Sequence, residues 1–233
     1  MEHPVPAGPL AVRWHSLDVD PPDAGALGRA RAVVENAGSA AWRGLSLSYH
    51  WLDTRGNPIV WDGIRTAVEA APGERREVDM VVRAPIPPGL YRLAFDLVDE
   101  HRFWLAELGN HVPELDLEVR PRPAETARAF LGDAEPAPDW EERARGAHAE
   151  GYAAVGGSVD WEGSLLKRRP GELEPYRPGG GRNPAFAHPL VCPSLLPPLE
   201  PNAEVAGLPA WRPEGDEPWI YDARLRVRLR IRR

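Results

Sequence analysis

The sequence predicts a mainly β protein: an antiparallel β-sandwich, then a loop-rich region with one helix and a terminal strand. Three observations carry this expectation. Apolar residues recur with a period of two in several short runs between residues 10 and 120. Glycine, proline, asparagine and aspartate punctuate those runs where turns are needed. After residue 120 the chain holds 16 of its 27 prolines, so long regular elements should be few there.

Taken in order, "LAVRWHSL" (10–17) alternates loosely and opens the set. "GRARAVVEN" (28–36) places Ala30, Ala32 and Val34 on one face. "LSLSYHWLD" (45–53) alternates most clearly, with Leu45, Leu47, Tyr49 and Trp51 inward and Ser46, Ser48 and His50 outward. "REVDMVVRAP" (76–85) groups Val78, Met80 and Val82. "LYRLAFDLV" (90–98) is apolar on both faces, with Tyr91, Leu93 and Phe95 pointing one way, and "DEHR" after it reads as the turn to a neighbouring strand. "ELDLEVR" (114–120) closes the half with Leu115, Leu117 and Val119. About seven or eight strands are expected in all. Between them, "ENAGSAAW" offers Asn and Gly for positive φ, "DTRGNP" is a hairpin turn, and "APGER" and "APIPPG" are breaks before strands. No helix of useful length is expected before residue 120.

The expected organisation is a sandwich over 1–120, a linker over 121–136 beginning in "RPRPAE", and a loop-rich region over 137–233. A helix is expected over about 139–150, with Asp139 as N-cap, Glu141 and Glu142 in the first turn and Gly151 at the stop. Residues 169–201 are too rich in proline for regular elements. "ARLRVRLRIRR" alternates cleanly and predicts a strand over about 223–231, with Leu225, Val227, Leu229 and Ile231 on one face and arginines on the other. It reads as an edge strand whose charge discourages edge-to-edge pairing. The alternatives are a contact for phosphate or a partner, including a second copy of the chain.

Bulk properties exclude some classes. At 233 residues, 42% hydrophobic and 27% charged, the chain can bury a core. Its formal net charge of −7 makes it a poor non-specific ligand for nucleic acid or anionic membrane. The single cysteine, Cys192, cannot form an intrachain disulfide, which points to a reducing compartment and a cytoplasmic location. No apolar run is long enough for a membrane span, and the N-terminus lacks the basic and apolar regions of a secretory signal. Basic charge is almost all arginine, with Lys167 the one lysine. This reads as coding bias, so arginine content is no functional signal.

Each candidate site also has a plainer reading. Asp96, Asp99, Glu100 and Glu107 can pair for acid–base work or hold a cation, but a solvated hairpin end explains them. Of the tryptophans in the first half, Trp14, Trp42, Trp51, Trp61 and Trp104, Trp51 shares the inward face and belongs to the core. Trp61 and Trp104 lie near turns and are better placed to present flat rings outward, as a sugar-binding face requires. "PGGGRNP" (178–184) with Arg182 resembles a phosphate cradle but lacks the Lys-Ser/Thr of a P-loop and opens no helix. His188 and Cys192 stand four apart, yet Pro189 and Pro193 argue against a helix there, and two ligands do not make a metal site. Ser158 and Ser194 lack a nucleophile-elbow context. The ligand-binding candidates are therefore Trp61, Trp104, Arg182 and His188. No catalytic residue, metal site or cofactor is assigned.

The pieces "VVENAGSAAW", "LSYHWLDTRGN" and "GIRTAVEAAPGERREVDMVVRAPIPPGLYRLAFDLVDEHRFWLAELGN" occur in an order that resembles a bacterial Ig-like accessory domain found beside glycosyltransferases and sugar methyltransferases of surface-polysaccharide loci. The resemblance covers roughly residues 10–120. Leu105 stands where that family usually has an aromatic after Trp104. More distantly the half is similar to the Trp-rich Ig-like domain of selective-autophagy receptors. "EGYAAVGGSVD", "GGGRNPAFAHPLVCPS" and "EPWIYDARL" are similar to a region of actinobacterial proteins of unassigned activity.

The resemblance implies an Ig-like sandwich acting as a non-catalytic binding or accessory module. It implies a role in cell-surface polysaccharide or glycoconjugate assembly, with a glycan or a glycosyltransferase-type protein as partner. Two alternatives stay open: an enzyme with its site around Arg182, His188 and Cys192, and a structural protein self-associating through the terminal strand.

Overall fold

The structure, a computed structural model, describes residues 3–124, 129–130, 135–161, 174–175, 194–195, 203–205, 208–210 and 218–229. The chain divides into two compact units, Met1–Asp23 with Leu27–Arg120, and Ala24–Ala26 with Pro121–Arg233.

The first unit is an Ig-like sandwich of two antiparallel sheets. Its strands are β1 (Val12–Val19), β2 (Leu27–Asn36), β3 (Trp42–Leu52), β4 (Pro58–Val60), β5 (Thr66–Ala70), β6 (Arg75–Arg83), β7 (Gly89–Asp99), β8 (Phe103–Trp104) and β9 (Glu114–Val119), with a 3₁₀ turn at Leu105–Leu108. One sheet has the order β1-β2-β6. The other has β3 and β7 at its centre, with β4 and β5 pairing the free side of β3, and β8 and β9 pairing the free side of β7. The count exceeds the seven or eight strands expected because β4, β5 and β8 are too short to display a period.

The inward faces pack as the alternation requires. Leu47, Tyr49, Trp51, Leu93 and Phe95 from one sheet, and Ala30, Ala32, Val34, Val78, Met80 and Val82 from the other, are all buried. The sheets are also tied by polar groups of the core aromatics. The Trp51 indole donates to the carbonyl of Arg83 at 2.8 Å, and the N–H of Arg83 donates to the Tyr49 hydroxyl at 2.8 Å. Two side chains from β3 thus grip one residue of β6, and neither buries its polar atom unpaired.

Two turns show why their residues are there. In the β3–β4 hairpin, Asp53 Oδ1 accepts from the N–H groups of Arg55 and Asn57, each at 2.8 Å, while Gly56 takes φ 86°. In the β2–β3 turn no residue adopts the positive φ anticipated for "ENAG". Gly38 is required there for proximity instead: a Cβ on it would lie 2.3 Å from the carbonyl oxygen of Pro9. Asn36 completes that turn, accepting from Gly38 N–H and donating to the carbonyls of Ala40 and Ala70.

The outward face of the β3–β7 pair departs from a solvated sheet surface. Ser48 and His50 do point away from the core, yet both are buried, as are Ala94, Asp96 and Val98 on β7. Asp96, expected in a solvated hairpin end, is therefore a correction.

The second unit holds α1 (Trp140–Glu150) and the strands β10 (Ala129–Phe130), β11 (Glu135–Pro136), β12 (Ala154–Trp161), β13 (Glu174–Pro175), β14 (Ser194–Leu195), β15 (Ala203–Val205), β16 (Leu208–Ala210) and β17 (Trp219–Leu229). The helix starts and stops where its signals place it, with Gly151 at φ 120° closing it. Asp139 makes no side-chain capping bond; its carboxylate instead accepts from Arg143 at 2.6 Å.

The terminal strand corrects the edge-strand expectation. β17 begins at Trp219, ahead of the expected start near 223, and has partners on both sides: β12 runs parallel along one, while β11 and β13 pair antiparallel along the other. An interior strand needs no charge to protect an edge. Leu225 is fully buried, in keeping with the apolar face. Ile231 lies outside the described residues, as do Arg182, His188, Cys192 and the "PGGGRNP" segment. Among the described residues no helix is long and apolar enough to cross a membrane.

Candidate ligand-binding site

The outward face of β3 and β7 carries a cluster of aromatic and charged side chains. Strand pairing sets Ser48 opposite Asp96, and His50 opposite Ala94. Two segments then cover this face. One is residues 61–65, "WDGIR", between β4 and β5. The other is β8 with its following 3₁₀ turn, placed by the pairing of Trp104 with Val98.

Gly63 lets the first segment close. Its N–H donates to the carbonyl of Tyr49 at 3.0 Å, and a Cβ on it would fall 2.5 Å from that oxygen. The close approach fixes the residues on either side, Trp61 and Arg65.

His50 is the floor of the cluster. Its ring stacks on Trp61, centroids 4.1 Å apart, and meets Trp104 edge-on at 4.3 Å. The two indoles stand 6.2 Å apart with planes at 73°, forming a corner. The carbonyl of Trp61 accepts from Nδ1 of His50, so Nδ1 carries the proton. Burial pushes the His50 pKa down, opposed by that hydrogen bond and by the charge of Asp62.

Arg65 organises the polar part. Its Nε donates to Glu100 at 3.0 Å, and its Nη2 to Asp62 at 2.9 Å. Its Nη1 donates to the Ser48 hydroxyl and to the Gly63 carbonyl, at 2.9 and 2.8 Å. The guanidinium also lies over the Trp104 ring, 4.9 Å from its centroid. The bond to Arg65 lowers the Glu100 pKa.

Asp96 lies under the 3₁₀ turn. Its oxygens accept from the N–H groups of Leu97 at 2.7 Å and Ala106 at 3.2 Å. Burial nonetheless raises its pKa to about 6 against those two bonds, with the charge of Glu107 adding to the rise.

The sequence candidates separate on this geometry. Trp61 and Trp104 are brought together, Trp61 half-exposed at 50% and Trp104 of intermediate exposure. Arg182 and His188 lie outside the described residues. The four carboxylates of the 96–107 stretch turn to different partners: Asp96 to backbone N–H groups, Asp99 to Arg102, Glu100 to Arg65 and Glu107 to the Trp104 N–H. They do not converge on one point. Ser48 and His50 share no hydrogen bond: the Ser48 hydroxyl accepts from Arg65, and His50 Nδ1–H donates to the Trp61 carbonyl. Among the described residues no group of three His, Cys, Asp or Glu could hold a metal ion.

Sequence reasoning missed His50, Asp62 and Arg65. Alternation places His50 on the outer face, but nothing in the sequence says which loop covers that face. The usable signal was "WDGIR" itself, an aromatic, an acid and a base around a glycine.

No protein-family model and no curated protein matches the chain. Among solved structures the chain is similar to the solution structure of a CARDB domain from Pyrococcus furiosus, at 18% identity and a TM-score of 0.31, covering 45% of this chain and 92% of that one. It is similar to a β-glucuronidase from glycoside hydrolase family 2, at 11% identity and a TM-score of 0.33, covering 52% of this chain and 12% of that one. It is similar to a β-glucosidase from Listeria innocua in complex with gluconolactone, at 14% identity and a TM-score of 0.32, covering 46% of this chain and 15% of that one. None of these likenesses decides what this chain binds.

Proposed function

We propose that residues 1–120 form a non-catalytic binding module whose ligand platform is Trp61, that the ligand is a saccharide, and that the module serves cell-surface glycan assembly beside a glycosyltransferase-type partner. Residues 121–136 then connect it to the loop-rich region over 137–233. One observation carries the reading: a half-exposed indole is held flat against a buried imidazole. A sugar ring offers C–H groups that stack on such a surface. Because packing already fixes the indole, binding costs little further side-chain entropy. The carboxylates of the 96–107 stretch turn to different partners, which favours holding a ligand over transforming it. The ordered resemblance of residues 10–120 to an accessory domain supports the same assignment.

The test is glycan-array and calorimetric binding with the full chain and its Trp61→Ala variant. The expected result is saccharide binding that the variant loses by at least about tenfold, the loss of one strong aromatic contact, in a variant that keeps its β-sheet circular-dichroism spectrum. Equal binding by both proteins would remove Trp61 from the site, and no binding by either would remove the saccharide.

A further inference from the structure

We infer that the Trp61 site selects uncharged saccharides and rejects their uronate or phosphate-bearing counterparts, an inference that rests on reading Trp61 as a saccharide platform. The charges around the indole corner decide it. Two carboxylates, Asp62 and Glu100, face a single guanidinium, Arg65. His50 adds no positive charge near neutral pH, because burial favours its neutral ring.

The one central cation is already consumed. Arg65 commits Nε to Glu100, Nη1 to Ser48 and Gly63, and Nη2 to Asp62, and its plane covers Trp104. Arg102, the next guanidinium along the same hairpin, is held by Asp99 at 2.6 Å and lies over Phe103. An incoming carboxylate or phosphate would compete with Asp62 and Glu100 for Arg65, and with Asp99 for the charge of the more exposed Arg102.

The acids are only half committed. Asp62 gives Oδ1 to Arg65 and Glu100 gives Oε2, while their side chains remain 71% and 48% exposed. Each keeps an oxygen for a ligand donor. The rim therefore presents two carboxylate oxygens as acceptors, which suit ligand hydroxyl groups. Asp62 and Glu100 are also close enough to feel each other's charge. A third negative group brought beside them would be repelled, the more so as the ligand displaces screening water.

The experiment uses the full chain and matched pairs of oligosaccharides that differ only at C6: gluco with glucurono, galacto with galacturono, and manno with mannurono. The expected result is that the neutral member of any pair that binds does so about tenfold or more tightly than the acidic member. Salt should narrow that gap. In the Asp62→Asn/Glu100→Gln variant, whose amide oxygens can still accept from Arg65, the gap should shrink to about threefold or less, while the neutral member weakens as charged acceptors become neutral. If the acidic member binds as well as the neutral one, and Trp61→Ala abolishes both, the charge inference is overturned while the platform reading stands. If no pair binds, or Trp61→Ala changes nothing, both fall.

Discussion

The imidazole of His50 lies flat against the indole of Trp61, its plane inclined by only 22°, and its Nδ1–H donates to the carbonyl of that same residue. One buried side chain thus holds Trp61 by both ring and backbone. His50→Ala should free the indole, shift its fluorescence to the red and cost about 1–3 kcal/mol, the range for removing a buried polar partner and a ring contact. An unchanged emission spectrum would mean that Gly63 and the loop alone hold Trp61.

The same histidine sets a pH dependence. Burial lowers its pKa from the ordinary 6.5, so the folded form takes up this proton less readily than the unfolded chain. Its contribution to stability is present above pH 6.5 and is lost as the pH falls below that value toward the folded pKa. Histidine-resolved NMR titration should place its midpoint below that of unfolded chain. A midpoint at or above it would contradict the neutral floor.

Asp96 acts with the opposite sign. Burial raises its folded pKa from 3.8 to about 6. Stability from this group is full below pH 3.8 and is lost as the pH rises through about 6. The change amounts to roughly 3 kcal/mol. Urea unfolding of Asp96→Asn and wild type across pH 4 to 7.5 should show the variant gaining on wild type by about that amount as the pH rises. A constant difference would show that Asp96 ionises normally.

Trp51 tests the core. Trp51→Ala should cost about 3–5 kcal/mol as a large-to-small change. Trp51→Phe should cost about 1–3 kcal/mol, mostly from orphaning the Arg83 carbonyl that the indole now satisfies. Denaturant midpoints separate the two, and a Phe variant as stable as wild type would point to packing alone.

Leu225 tests the second unit in the same way. It is fully buried on β17, and Leu225→Ala should cost about 2–5 kcal/mol. Hydrogen exchange should show the loss in β12, whose pairing partner is β17, with the sandwich amides unaffected. Loss of protection in the sandwich instead would contradict the placement of this side chain.

Legibility in the sequence followed the range of the interactions. The inward set from Leu47 to Phe95 could be read because alternation is a local property of each strand. Gly56 and Asp53 could be read because an Asx turn closes within a few residues. The edge reading of β17 failed because a strand's neighbours are set by distant pairing, and alternation is silent on that. Ser48, His50 and Asp96 show the same limit: alternation assigns a face, while the covering segments come from elsewhere in the chain. Asp139 signalled the helix start, yet Arg143 one turn on competes for its carboxylate, and a cap signal carries no information about competitors.

The central place of β17 also bears on the order in which this chain can acquire structure. β12 finds its parallel partner only in residues 219–229, and β11 and β13 pair with the same strand. During synthesis all three must wait without this sheet partner until residues 219–229 have emerged. The sandwich strands have every partner in hand by residue 119 and can form while the remainder is still being made. The second unit's sheet, dominated by such distant pairing, should form late and slowly. A nascent chain stalled short of residue 219 would be the species in greatest need of a chaperone.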